Sequence, residues 1–197
     1  MSESNFDIYI HDLLRDSGID AEYQHTEITQ LQEALSTASK SQTGREGKPD
    51  FIAVVNGYVL VIEDKADRGR LCLRDKDGSI SQTVEATRDY AVNGAVWYAR
   101  RILEHGTFTK IFAFGNAGDS KHHTLKPVFV GEDCVKELAE VETFGNFSPD
   151  AVDKYYRHSV LEEESPEELQ LEELISKART LHEHLGNYGN LSDTEKP

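Results

Sequence analysis

The stretch Lys48-Pro49-Asp50-Phe51-Ile52-Ala53-Val54-Val55-Asn56-Gly57-Tyr58-Val59-Leu60-Val61-Ile62-Glu63-Asp64-Lys65 decides the fold. It reads as two strands joined by an Asn-Gly turn, since both turn residues tolerate the positive φ of a type I′ hairpin. The turn sets the register. Val55 faces Tyr58, Val54 faces Val59, Ile52 faces Val61, and Asp50 faces Glu63. Side chains alternate along a strand, so Lys65 shares a face with Glu63 while Asp64 points the other way. Two carboxylates and an ammonium therefore meet at the open end of the hairpin. Opposed like charges destabilise a strand pair, and paired carboxylates suit Mg²⁺, which takes one or two of them and keeps several waters. The competing interpretation is a solvated pair of strand-end acids with Lys65 as their salt-bridge partner.

Both faces of the hairpin are apolar. Ile52, Val54, Val59 and Val61 lie on one, and Phe51, Ala53, Val55, Tyr58, Leu60 and Ile62 on the other. A sheet buried on both sides implies covering helices, hence an α/β sandwich. Upstream, 4–17 has helical spacing (Phe6, Ile10, Leu13, Leu14), 21–25 reads as a short extended piece, and Thr26 caps a second helix reaching about Lys40. Glu33 lies off that helix's apolar stripe and is a candidate third acid for the hairpin site.

Downstream, Leu71-Cys72-Leu73 is a candidate short strand. A long helix follows from about Ser81 to Glu104, with Gly94 as its weak point. Strands are expected at 110–115 and 125–130, joined by a loop at 115–120. Short helices are expected at 134–141 and 149–156. A last helix spans 166–185, with Ser165 as cap, Pro166 at its first position and Gly186 as its stop. The expected domains are 1–160, a compact α/β unit, and 161–197, an acidic helical extension or linker.

With 38% hydrophobic and 29% charged residues among 197, the chain has the composition of a soluble globular protein. No apolar run approaches the roughly 20 residues that span a bilayer, so no membrane role is expected. The first residues lack the pattern of a secretory leader. Cys72 and Cys134 have no metal-like spacing and predict reduced thiols in a cytoplasmic protein. The net charge of -15 argues against a simple basic nucleic-acid binder. Its distribution is uneven: residues 1–39 carry one basic and eight acidic residues, 40–130 fourteen and eleven, and 131–197 six and seventeen. The hairpin thus lies in the locally basic third, among Lys40, Arg45, Lys48, Lys65, Arg68, Arg70, Arg74 and Lys76, where a polyanion is a plausible ligand.

Pro49-Asp50 followed after a gap by Glu63-Asp64-Lys65 resembles the PD-(D/E)XK nuclease superfamily, and the αβββαβ-like order of elements is similar to that superfamily's core. Residues 27–131 resemble in particular the N-terminal nuclease domains of type I restriction enzyme R subunits and of fused restriction–methylation proteins, through Gly47-Lys48-Pro49-Asp50-Phe51, Glu63-Asp64-Lys65 and Asp89-Tyr90-Ala91. The segment 191–197 is similar to the junction before an N6-adenine DNA methylase half.

The resemblance implies a restriction-endonuclease-like three-layer sandwich, a mixed sheet between helices, plus a C-terminal helical extension. It implies a metal-dependent endonuclease acting on double-stranded DNA in a restriction–modification system, with a methyltransferase or specificity domain in the same protein or complex. Asp50, Glu63 and Lys65 are then catalytic. Asp50, Glu63 and the Asp64 backbone carbonyl hold Mg²⁺, or Mn²⁺ in its place, with Glu33 as a further candidate. Arg45, Lys48, Arg68 and Gln82 are candidate DNA contacts. The superfamily's Gln-x-x-x-Tyr element is incomplete here, because Ala86 stands four residues before Tyr90 and Gln82 is one turn earlier. The alternative is a catalytically silent module that positions a methyltransferase or binds a protein partner.

Overall fold

The computed structural model describes residues 3–164, 170, 171 and 173–182. Contacts divide the chain into two units, 1–156 and 157–197. The hairpin is the centre of the first. Strand β2 (Phe51–Val55) pairs antiparallel with β3 (Tyr58–Lys65) in the expected register, from Val55 opposite Tyr58 to Phe51 opposite Ile62. Asn56 and Gly57 turn between them with φ of 49° and 84°, the left-handed geometry of a two-residue hairpin. Strand β1 (Glu22–Tyr23) adds to the outer edge of β2.

On its other side β3 runs parallel to β4 (Lys110–Gly118), which continues antiparallel into β5 (His123–Gly131) and then β6 (Val135–Glu137). The result is a six-stranded mixed sheet in the order β1-β2-β3-β4-β5-β6. A parallel step requires a crossover. Here the chain between β3 and β4 supplies α3 (Val84–Asp89) and α4 (Ala91–His105).

Helices cover both faces, as the doubly apolar strands require. On one face α4 and α2 (Thr29–Leu35) seal a core of Leu31, Leu35, Ile52, Val59, Val61, Val96, Ala99, Ile102, Ala113 and Val128. On the other lies α1 (Glu3–Asp16), with Phe6, Ile10 and Leu14 fully buried. Beside it an aromatic cluster joins Phe112, Phe114, Phe144, Phe147 and Tyr155, with Phe147 edge-on to Phe114 at 4.6 Å. This is the expected α/β three-layer arrangement. Val54 departs from it, being 36% exposed. Among the described residues no helix is long and apolar enough to cross a membrane.

Several expected elements differ. The second helix stops at Leu35 rather than near Lys40, because the carbonyls beyond it are taken from elsewhere. Gly47 N–H donates to Leu35 O, Trp97 Nε1 to Ala38 O and Thr87 Oγ1 to Lys40 O, each at 2.8 Å. Thr26 does not cap α2, although its Oγ1 accepts from Ile28 N. The long helix from Ser81 breaks at Tyr90 (φ -121°, ψ 137°) and not at Gly94. Tyr90's extended backbone frees Val92 N to donate to Leu71 O at 2.9 Å. The helix expected at 134–141 is replaced by β6, which pairs with β5. The expected 115–120 loop is shorter: β4 runs to Gly118, and Asp119 Oδ1 caps the turn by accepting from Lys121 and His122 N–H groups. The 149–156 helix starts later than expected, as α5 (Val152–Tyr155), and a π-helical segment, Tyr156–Val160, follows it.

The strand expected at 71–73 is absent because Asn93 takes its hydrogen bonds. Fully buried on α4, Asn93 accepts from Leu73 N (2.9 Å) and donates to Leu73 O (2.8 Å) and Ser81 O (2.7 Å).

In the second unit, residues 170, 171 and 173–182 are helical, and Leu171, Leu174, Ile175 and Leu181 are exposed. The expected cap Ser165, Pro166, Leu169, Leu185 and the stop at Gly186 lie outside the described residues.

Asn93→Ala would leave Leu73 N–H without its partner, at a cost of about 1–3 kcal/mol, while Leu73 O keeps Ser81 N and Ser81 O keeps Gln82 Nε2 as donors. The expected result in a urea melt is a loss of about 1–3 kcal/mol. A change within the range of an ordinary surface substitution would show that the 71–81 segment does not depend on this side chain.

Candidate functional site

The site lies where β3 leaves the core. By strand alternation Val59, Val61, Glu63 and Lys65 face α4, while Leu60, Ile62 and Asp64 face α1. Asp50 immediately precedes β2, so the ladder ending at Phe51–Ile62 brings it beside Glu63. Its Oδ2 accepts from Asp64 N–H at 2.8 Å. That bond ties the aspartate to the backbone between Glu63 and Lys65. Asp50 and Lys65 are partly exposed, whereas Glu63 and Asp64 are fully buried.

Glu63 meets a cation that the sequence reading placed only among the general basic crowd. Lys40 Nζ forms an ion pair with Glu63 Oε2. The second oxygen, Oε1, is buried with no hydrogen-bond partner among the described residues. Helix α4 closes over the pair. A Cβ on Gly94 would sit 3.2 Å from Lys40 Cδ and 3.3 Å from Glu63 Oε2, so glycine permits this approach. Tyr98 completes the wall: its ring lies 5.8 Å from Lys40 Nζ and its hydroxyl accepts from Lys48 N at 3.0 Å.

Burial pushes Glu63 up to about 7, with Asp50 adding to the rise and Lys40 and Lys65 opposing it. Burial also works against the Lys40 ammonium, but Glu63, Tyr98 and Asp50 outweigh it and raise Lys40 further. Lys40 therefore remains charged. Tyr98 is raised by burial and by the Glu63 charge, which keeps its phenol protonated.

On the opposite face Asp64 Oδ1 accepts from Asn116 Nδ2 at 2.9 Å, its register partner on β4. Burial raises the Asp64 carboxyl well above its ordinary range, and Asp50 adds to this. Its side chain is thus turned away from the Glu63 face, leaving its backbone carbonyl as the group available to a site there.

The other candidates separate. Glu33 is not brought to the hairpin: its exposed carboxylate lies 3.4 Å from His105 Nε2. Gln82 lies before α3, with Nε2 donating to Ser81 O at 3.1 Å and its backbone O accepting from Gln42. Tyr90 stacks under the Arg70 guanidinium at 5.2 Å. Arg45 and Arg68 are exposed, Arg68 in the turn that follows β3. Lys48 is exposed and 3.7 Å from Glu46. Arg74 forms a bidentate pair with Glu137, so it belongs to the structural frame. Among the described residues no three His, Cys, Asp or Glu side chains gather as a metal cluster.

Fold and site together define an α/β protein whose central strand ends in a buried acid–lysine cluster. Against known proteins, the chain is 36% identical over 196 residues, 98% of its length, to the type II restriction enzyme and methyltransferase RM.BcgI of Heyndrickxia coagulans. This similarity supports a relationship to restriction-system proteins. The chain spans 31% of that relative's length. No family model and no solved structure matches it.

The buried acids make stability depend on pH in a defined direction. With its pKa raised on folding, Asp64 binds more protons in the folded than in the unfolded chain, so stability is greatest below the unfolded value and falls as pH rises through the folded one. Glu63 acts in the same sense, between its ordinary value and about 7. Asp64→Asn keeps the Oδ1 acceptor for Asn116 and removes the charge. Thermal melts across the pH range are expected to show the variant matching wild type in acid and exceeding it at alkaline pH.

Proposed function

We propose that this chain is the metal-dependent endonuclease part of a restriction–modification protein that hydrolyses phosphodiester bonds in double-stranded DNA in the cytoplasm. The observation that carries the reading is the convergence of Asp50, Glu63 and Lys65 at the end of the hairpin, with Glu63 Oε1 buried and unpartnered. Similarity to a restriction enzyme and methyltransferase supports the DNA substrate and a methyltransferase partner in the same protein or complex.

The donor set fits Mg²⁺. Two carboxylates and the Asp64 backbone carbonyl offer hard oxygen ligands, and Mg²⁺ usually takes one or two protein carboxylates. Mn²⁺ suits the same oxygens. When bound there, the ion would stabilise charge developing on the phosphate and acidify a water. Asp50 is held for this task by its bond from Asp64 N–H. Lys65, on the Glu63 face and partly exposed, sets an ammonium beside the scissile phosphate and stabilises the added negative charge of the transition state. Arg45, Lys48 and Arg68 supply exposed cations for backbone phosphates, contacts that position DNA without reading sequence.

A second reading keeps the fold and drops the chemistry: a silent nuclease-like module beside a methyltransferase. The complete burial of Glu63 beneath Lys40 favours it. Cleavage separates the two. In the intact protein, Asp50→Ala, Glu63→Ala and Lys65→Ala are each expected to reduce cleavage of target DNA by roughly 10²-fold or more, while methylation persists. Wild-type cleavage rates in all three would sink the nuclease reading.

A further inference from the structure

A buried carboxylate at a metal site usually owes its charge to the metal. Here Glu63 already has a cation, and the fold has gone to some length to keep it there. The backbone of Lys40 is pinned by Thr87 Oγ1, two residues after Trp97 Nε1 has pinned Ala38 O. Its stem packs against Gly94, where a Cβ would meet Lys40 Cδ at 3.2 Å. Its ammonium sits between Glu63 Oε2 and the Tyr98 ring. With Lys40 on Oε2, Oε1 is left as the buried acceptor without a partner.

Two-ion phosphodiester sites hold their metals about 3.5–4 Å apart, which calls for a carboxylate that serves both ions and for further acids around them. Here Glu63 cannot serve two ions, and among the described residues no third acid joins Asp50 and Glu63. Oε2 of Glu63 is taken, Glu33 lies with His105, and the Asp64 carboxyl faces Asn116 across the sheet. We propose that Lys40 is a positioning residue that acts as a built-in cation: it claims one oxygen of Glu63, presents the other, and restricts the site to a single divalent ion. The inference rests on the metal-site reading above and extends it to stoichiometry. It also has an electrostatic consequence. An ammonium and a divalent ion sharing one carboxylate repel each other, so Lys40 weakens the binding of the ion while holding its ligand in place.

Mn²⁺ titration of the full chain, followed by calorimetry and by the paramagnetic resonance of free Mn²⁺, tests this without recourse to cleavage. Wild type is expected to bind one ion, and Asp50→Asn to abolish that binding. Lys40→Met should bind Mn²⁺ roughly threefold or more tightly, or take up a second ion, because the like charge is gone. Lys40→Arg keeps the charge and should retain single-ion binding. A merely structural lysine would leave affinity unchanged or lower it when replaced.

Two ions on wild type overturn the proposal, as does a folded Lys40→Met variant with one ion at unchanged or weaker affinity. If Lys40→Met fails to fold, wild-type stoichiometry decides. No binding by wild type, or binding indifferent to Asp50→Asn, overturns the metal-site reading itself and the role of Lys40 with it. Binding lost in Asp50→Asn but unmoved in Lys40→Met overturns only the role of Lys40.

Discussion

The structure depends on one constraint: β3 is a central strand buried on both faces, and it ends in Glu63-Asp64-Lys65. Neighbours on both edges and helices on both faces remove water from the strand along almost its whole length. Burying two adjacent carboxylates in such a place costs several kcal/mol each unless partners are supplied. The two faces meet this cost differently. On the α4 side Lys40 neutralises Glu63. On the α1 side Asn116 donates a hydrogen bond to Asp64, whose charge is disfavoured and whose proton is retained to higher pH. Strand alternation has thus divided two neighbouring acids into one ion-paired with Lys40 on the site face and one hydrogen-bonded to Asn116 behind it.

That division organises the surrounding chain. Residues 36–48 have no regular structure, yet their backbone is fastened to α3 and α4 by Thr87, Trp97 and Tyr98. The fastening is what delivers Lys40 to Glu63. The break at Tyr90 serves the same end, because it lets α4 start anew and bring Gly94 against the ion pair. A continuous helix from Ser81 would have kept its own hydrogen bonds and left the carbonyl of Leu71 without the Val92 N–H.

What the sequence revealed was local or periodic. The Asn56-Gly57 turn set the hairpin register, and alternation then placed Glu63 and Lys65 on one face with Asp64 on the other. Two apolar faces implied two covering layers. The features that escaped were set by long-range side-chain bonds with no periodic trace. Asn93 replaced a strand at 71–73 with a pinned loop, and Trp97 and Thr87 ended α2 early. The edge of β5 drew Val135–Glu137 into a strand despite a sequence that also suits a helix. Glu33 shows the limit of helical reasoning, since being off the apolar stripe does not say which way a residue faces. Lys40 was visible only as one of eight nearby basic residues. Nothing in its immediate sequence distinguishes it from Lys48, which ends at the surface beside Glu46.

The contrast between these two lysines bears on how an acidic protein engages a polyanion. Net charge reports long-range attraction, which at ordinary ionic strength fades over about 8–10 Å. Within that range the arrangement of charges matters more than their sum. Lys40 is spent inside, against Glu63, and Arg74 is spent on Glu137. Lys40 and Arg74 are therefore less available to a polyanion than the composition alone suggests. Arg45, Lys48, Arg68, Arg70 and Lys76 remain exposed, and Arg68 and Arg70 lie in the turn that follows β3. On the proposed nuclease reading, these cations would meet backbone phosphates, contacts that align DNA without reading its sequence.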